Sequence, residues 1–246
     1  MRSRHILISL LLLAGSPALT AQGTKKSASA SDVDFPAFVR ETQQEPNEAG
    51  YAGIVWWIPT RFWELSLERS GFSADAAQQR YQPLQKYTVV AVALGKIGLG
   101  NINWISEPEI RENVILRDSE GNIYRPVQKL SGDAEGLVSV IKPVFANILG
   151  SMGQNVQLLF FAGTNKMAKP IADPMAQGNF SIVISKLLSD KEDVKEVFEW
   201  KLPLTTLSPP KYCPVGKERV QANWKYCPWH GIKLEEPALT NGAAPK

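Results

Sequence analysis

Histidine and cysteine are the reactive residues this chain has least of, two of each in 246. His5 sits in the apolar segment at the N-terminus, which leaves His230 as the one imidazole beyond it. A Ser-His-Asp or Cys-His centre needs an imidazole base within hydrogen-bond reach of its nucleophile. Such a centre would therefore have to be assembled around His230, close to the C-terminus. The long middle of the chain likewise cannot supply a histidine-rich zinc or iron site. Long apolar runs are also missing: Ile6 to Ala14 falls short of the roughly 20 residues that span a bilayer, and no later segment is long and uncharged enough to do so. The glycines of LGKIGLGN (Gly95, Gly98 and Gly100) do not fit the dinucleotide fingerprint and are expected to relieve a bend at a strand end. A strong charge of either sign is lacking as well. The formal net charge is +3, and the mature chain, once Arg2 and Arg4 are removed, is close to neutral, so neither nucleic acid nor an anionic membrane is an expected partner.

What the chain does have begins with Arg2 and Arg4 ahead of the apolar run, followed by Gly15, Pro17 and small residues. That is the layout of a secretory signal peptide, residues 1–21, cut after Ala21 or Ala18. It predicts an exported protein, periplasmic or secreted, with no transmembrane segment in its mature form. Residues 22–33 are small and polar and are expected to form a flexible leader, and residues 237–246 a flexible tail.

Between them the pattern is that of a mainly β chain. YAGIVWWIP at 51–59 and YTVVAVALGKIG from Tyr87 are β-branched and aromatic runs, and NVQLLFFAG, NFSIVIS and EVFEWKLPL repeat the pattern. NVILRDSEGNIYRPV at 113–127 folds back on itself at Asp118-Ser119-Glu120-Gly121-Asn122, a β-hairpin whose turn lacks the spacing of a calcium loop. Thr60 and Ser73 are expected to cap a helical hairpin near 60–83, and helical periodicity predicts a helix near 135–149, kinked or split at Pro143. About six or seven strands that follow one another without regular helices favour an antiparallel sheet packing over a parallel α/β fold. The expected architecture is mainly β with helical insertions (α+β). It consists of an immunoglobulin-like antiparallel β-sandwich over residues 34–207 and a small C-terminal fragment over 208–236.

Trp56, Trp57 and Trp63, with Phe62, could form a stacking platform for a sugar ring or an interface. Alternation along the strand sends Trp56 and Trp57 to opposite faces, which also suits them to core packing. Glu107 with Glu109, or Asp133 with Glu135, could in principle act as paired carboxylates on a glycosidic bond, although acids of this kind are routine on surface loops.

Both cysteines lie in copies of Lys-Tyr-Cys-Pro within KYCPVGKERVQANWKYCPWHG, residues 211–231. Residues 211–234 resemble the zinc ribbon family, whose paired Cys-Pro-x-Cys-Gly knuckles hold one zinc through four sulfurs. Here Cys227-Pro228-Trp229-His230-Gly231 has histidine in place of the second cysteine. Cys213-Pro214-Val215-Gly216 has lost its second sulfur, with Gly216 one place closer. The resemblance implies Cys213, Cys227 and His230 as metal ligands, with Glu218 or a water as candidates to complete the set, since structural zinc takes four. It also implies sulfurs close enough to oxidise to a Cys213–Cys227 disulfide, which an exporting route favours. The sequence thus leaves open a disulfide staple, a zinc site and unpaired thiols. No organic cofactor is expected, and zinc is the metal these residue types admit. The expected function is that of an exported non-catalytic binding or structural protein with a disulfide-stapled ribbon, its partner an unidentified envelope or extracellular protein or glycan; the alternatives are a zinc-binding module using Cys213, Cys227 and His230 and a carboxylate-based hydrolase.

Overall fold

The computed structural model describes residues 33–188, 194–209, 211–221 and 223–235. The expected signal peptide and C-terminal tail, and all but Val33 of the leader, lie outside the described residues.

The chain opens with α1 (Phe35–Thr42), for which Asp34 is the N-cap: its carboxylate accepts from the Ala37 N–H, and Pro36 occupies the first turn. β1 (Gln43–Gln44) and β2 (Tyr51–Ile58) follow. The helical hairpin is α2 (Thr60–Arg69) and α3 (Ala74–Tyr81). Ser73 caps α3 as expected, but Thr60 does not cap α2; it is the first helical residue and Pro59 stands before it. Next come β3 (Tyr87–Ile97) and β4 (Ile102–Trp104), joined by a turn in which the Gly98 N–H donates to the Asn101 carbonyl. After α4 (Glu107–Asn113) the hairpin β5 (Val114–Asp118) and β6 (Ile123–Tyr124) forms as predicted. α5 (Gly132–Ile148) continues through Pro143 without a split, the other outcome expected there being a kink. β7 (Gln157–Ala162), β8 (Gly178–Ser185) and β9 (Lys195–Leu202) complete the main body.

All pairings are antiparallel. One sheet runs β1-β2-β3, with β7 and β4 pairing successive parts of the far edge of β3; the other runs β6-β5-β8-β9. This is the mainly β, antiparallel arrangement with inserted helices that the alternation predicts.

Alternation along β2 sets the layers. Trp57 points between the sheets, its ring 4.8 Å from Phe180 and 6.3 Å from Trp200, while Phe180 and Trp200 stack at 5.1 Å. Trp56 points the other way, 5.2 Å from both Phe62 of α2 and Phe145 of α5, so helices cover the outer face of the first sheet. Trp63 joins that helical layer, 5.3 Å from Phe62 and 5.8 Å from Phe145. Buried indoles need partners for their N–H groups. One residue serves two of them: the Trp56 indole donates to the Thr42 hydroxyl at 3.1 Å and that of Trp200 to the Thr42 carbonyl at 3.1 Å. Glu41 beside it accepts from the backbone of Thr205 and Thr206, binding α1 to the segment after β9. On the opposite edge the Val127 N–H donates to the Phe160 carbonyl, which joins the two sheets there.

Asp118 closes the β5–β6 turn. Its carboxylate accepts from the backbone of Glu120 and Asn122, the Asn122 amide and the Tyr124 hydroxyl. Burial alone would raise its pKa; the bonds from Asn122, Tyr124 and Glu120 outweigh that and hold the carboxyl below the usual range. Tyr124 is pushed up to about 12, first by burial and then by the Asp118 carboxylate. Because the folded-state value of Asp118 is depressed, its contribution is present above the unfolded value of about 3.9 and lost as pH falls through the folded one. Asp118→Asn is therefore expected to destabilise the protein by about 1–3 kcal/mol at neutral pH in urea unfolding, with the gap to the parent shrinking below about pH 4.

Candidate metal centre

A second, separate core lies in the C-terminal fragment. Its buried members are Cys213, Val220, Cys227 and Leu234, flanked by Trp224 and Ile232. Four buried side chains are far too few to hold a fragment of this size without a staple.

The backbone here is a tandem repeat that extends beyond the two Lys-Tyr-Cys-Pro copies. Segments 211–220 (KYCPVGKERV) and 225–234 (KYCPWHGIKL) fold alike, fourteen positions apart. In the first, β10 (Lys211–Tyr212) pairs with β11 (Arg219–Val220), Tyr212 opposite Arg219; in the second, Tyr226 lies opposite Lys233. The Lys217 N–H donates to the Cys213 carbonyl at 2.9 Å and the Gly231 N–H to that of Cys227 at 2.8 Å. Each cysteine N–H donates in turn to the carbonyl five residues on, Glu218 and Ile232. Lys217 and Gly231 share the left-handed conformation, with φ of 60° and 64°.

This register corrects the sequence alignment of the knuckles. The residue equivalent to the turn glycine Gly231 is Lys217, and Gly216 stands opposite His230, at the position of the missing second ligand. Glu218 takes over from two residues further along. Gly216 makes room for it: a Cβ at 216 would strike the Glu218 carboxylate and lie 2.7 Å from Cε1 of His230.

Ligand atoms of Cys213, Glu218, Cys227 and His230 all lie within 4.8 Å of one another. His230 Nδ1 is 3.4 Å from Cys213 Sγ, 3.5 Å from Cys227 Sγ and 3.2 Å from Glu218 Oε1, and Cys227 Sγ is 3.4 Å from Glu218 Oε1. Both sulfurs are buried, whereas the His230 and Glu218 side chains are about one third exposed. The Cys213–Cys227 bridge left open by the sequence is not formed here: both are free thiols, and the carboxylate and imidazole stand against the sulfurs.

A tetrahedral zinc with Zn–S of about 2.3 Å and Zn–N and Zn–O of about 2.0–2.1 Å fixes the edges of its ligand set. They are about 3.5–3.6 Å from sulfur to nitrogen or oxygen and about 3.3–3.4 Å from nitrogen to oxygen. The four separations above fall within about 0.2 Å of those edges. The donor set also suits the ion, since zinc accepts thiolate, imidazole and carboxylate together.

The local electrostatics are those of crowded acids. Burial pushes the Cys227 thiol up, and hydrogen bonding with Cys213 and Glu218 adds to this against the pull of the backbone N–H groups of His230 and Trp229. Glu218 is held below the usual carboxylate range by its own backbone N–H, then by the two thiols and the His230 ring, against the opposing effect of burial. A cation placed among them would relieve this crowding. Gly216→Ala is expected to displace the Glu218 carboxylate and weaken zinc binding about 10–100-fold in a competition titration against a chromophoric chelator, with the main body unaffected.

The other candidates fall differently. Trp56 and Trp57 are each 1% exposed and Trp63 8%, so all three are spent on packing, the use that strand alternation suggested, and present no stacking face. Glu107 pairs with Arg111 at 3.0 Å, and Glu109 accepts from the Ser106 N–H and hydroxyl, which makes Ser106 to Glu109 a capping box for α4. Asp133 and Glu135 lie in the first turn of α5. No helix among the described residues is long and apolar enough to cross a membrane.

Comparison with protein-family models finds no match. No curated protein and no solved structure matches the chain.

Proposed function

We propose that residues 211–235 form a zinc-holding module with Cys213, Glu218, Cys227 and His230 as its four ligands. The chain that carries it is read as an exported, non-catalytic binding or structural protein. The supporting observation is the ligand cluster itself: two thiols, an imidazole and a carboxylate within 4.8 Å of one another, four of whose six separations match the edges of a zinc tetrahedron. A site closed by four protein ligands is a structural one, because catalysis at zinc needs a position open to water or substrate. With His230 committed to the metal, no imidazole remains beyond the N-terminal segment to serve as a base. The ion pair of Glu107 with Arg111 and the helix-capping role of Glu109 argue the same way against a paired-carboxylate hydrolase at these residues. The zinc-ribbon likeness and export through a signal peptide at 1–21 belong to this reading, as does a ligand drawn from the envelope or the extracellular space.

Metal analysis together with intact mass of the secreted chain, before and after reduction and alkylation, tests it. The expected result is one zinc per chain, with both cysteines alkylated only after the metal is removed. A metal-free protein lighter by two hydrogens, which is a Cys213–Cys227 disulfide, would replace this reading with the staple.

A further inference from the structure

The repeat also organises the outside of the C-terminal module. Its exposed apolar side chains come in equivalent pairs: Tyr212 and Tyr226 at 55% and 59%, Val215 and Trp229 at 62% and 64%. Residues directly opposite in an antiparallel pair point to the same side. Tyr212 therefore shares a face with Arg219, and Tyr226 with Lys233. Val215 and Trp229 occupy the two knuckle turns, and the Trp229 ring is seated edge-on against Trp224 at 5.8 Å, with Trp224 packed on the small core. Among the described residues of the module Lys217, Arg219, Lys225 and Lys233 are exposed, against one exposed acid, Glu235, since Glu218 is turned to the cysteine–histidine cluster. The near-neutral balance of the whole chain hides this concentration.

We propose that these exposed side chains together make one surface and that it docks the protein on an anionic lipid bilayer, with the Trp229 and Val215 turns entering the headgroup boundary and the Tyr–cation pairs lying against the phosphates. Tryptophan and tyrosine favour that boundary because one end of each is apolar and the other polar. Each cation near an anionic surface strengthens attachment by about fivefold. Valine at the first knuckle can neither stack on a base nor hydrogen-bond a sugar, so the pair of tips fits an apolar boundary better than a nucleic acid or a glycan. The proposal needs the module's fold and does not depend on which staple holds it.

The test is co-flotation of the mature full-length chain with vesicles of equal parts phosphatidylglycerol and phosphatidylcholine, against phosphatidylcholine alone, at two salt concentrations. Binding is expected only to the anionic vesicles and is expected to fall with salt. Arg219→Gln with Lys233→Gln should weaken it about 25-fold, and Trp229→Ala about tenfold. Leu99→Ser, at the fully exposed tip of the β3–β4 turn, should leave it unchanged. Equal binding to both vesicle types, loss in Leu99→Ser but not in Trp229→Ala, or preference for single-stranded DNA or heparin over vesicles at the same salt would each overturn the proposal. Vesicle binding by a metal-free, disulfide-bonded chain would remove the zinc reading and leave this one standing.

Discussion

Cys227→Ala is expected to abolish stoichiometric zinc retention and to unfold residues 211–235 while leaving the main body intact. Two of the four buried residues of the small core, Cys213 and Cys227, are also two of the four proposed ligands, so on this reading the module's hydrophobic core and its metal site share half their members. For structural zinc the binding free energy is folding free energy, roughly 10–16 kcal/mol in small zinc-binding peptides near neutral pH. No core of this size could offset its loss. Treating the parent with a strong chelator should give the same result. Hydrogen exchange reads both outcomes: amides that protect the repeat, such as those of Lys217 and Gly231, should exchange freely, while those of β2, β3 and β8 should keep their protection. Loss of protection throughout the chain would show that the two cores are not separate.

Trp57→Ala should cost about 3–5 kcal/mol of global stability, since it empties a large site between the sheets and leaves Phe180 and Trp200 facing a cavity. Trp229→Ala, on the surface of the module, should cost less than about 0.5 kcal/mol. The contrast within one residue type separates packing from surface duty. A small effect at Trp57 in urea unfolding would mean that the sheets do not depend on this contact. Thr42 offers a related check, because losing its hydroxyl orphans the Trp56 indole but not that of Trp200, which bonds the carbonyl.

The strands were legible because β2, β3 and β7 present near-continuous apolar runs and β9 alternates apolar with charged residues, and the β5–β6 hairpin because Asp118 and Asn122 are turn formers whose bonds are local. Alternation in Trp56-Trp57 foretold two apolar faces; which partners fill them depends on residues as distant in sequence as Phe145 and Trp200. α1 and α4 also carried local signals, Asp34 with Pro36 and Ser106 with Glu109, but acids that cap helices are easily read as paired catalytic carboxylates. Pro143 proved compatible with a continuous α5. The metal cage was only partly legible. Cys213, Cys227 and His230 follow a knuckle spacing, whereas Glu218 reaches the site only because Gly216 has no side chain and Lys217 accepts the left-handed turn. Neither condition shows in ligand spacing.

X-ray absorption at the zinc edge, on the protein as isolated, addresses the central claim most directly. Two sulfurs at about 2.3 Å and two nitrogen or oxygen neighbours at about 2.0–2.1 Å are predicted, with no coordinated water. A metal shell with fewer than two sulfurs, or a protein free of metal with Cys213 and Cys227 joined, would contradict it.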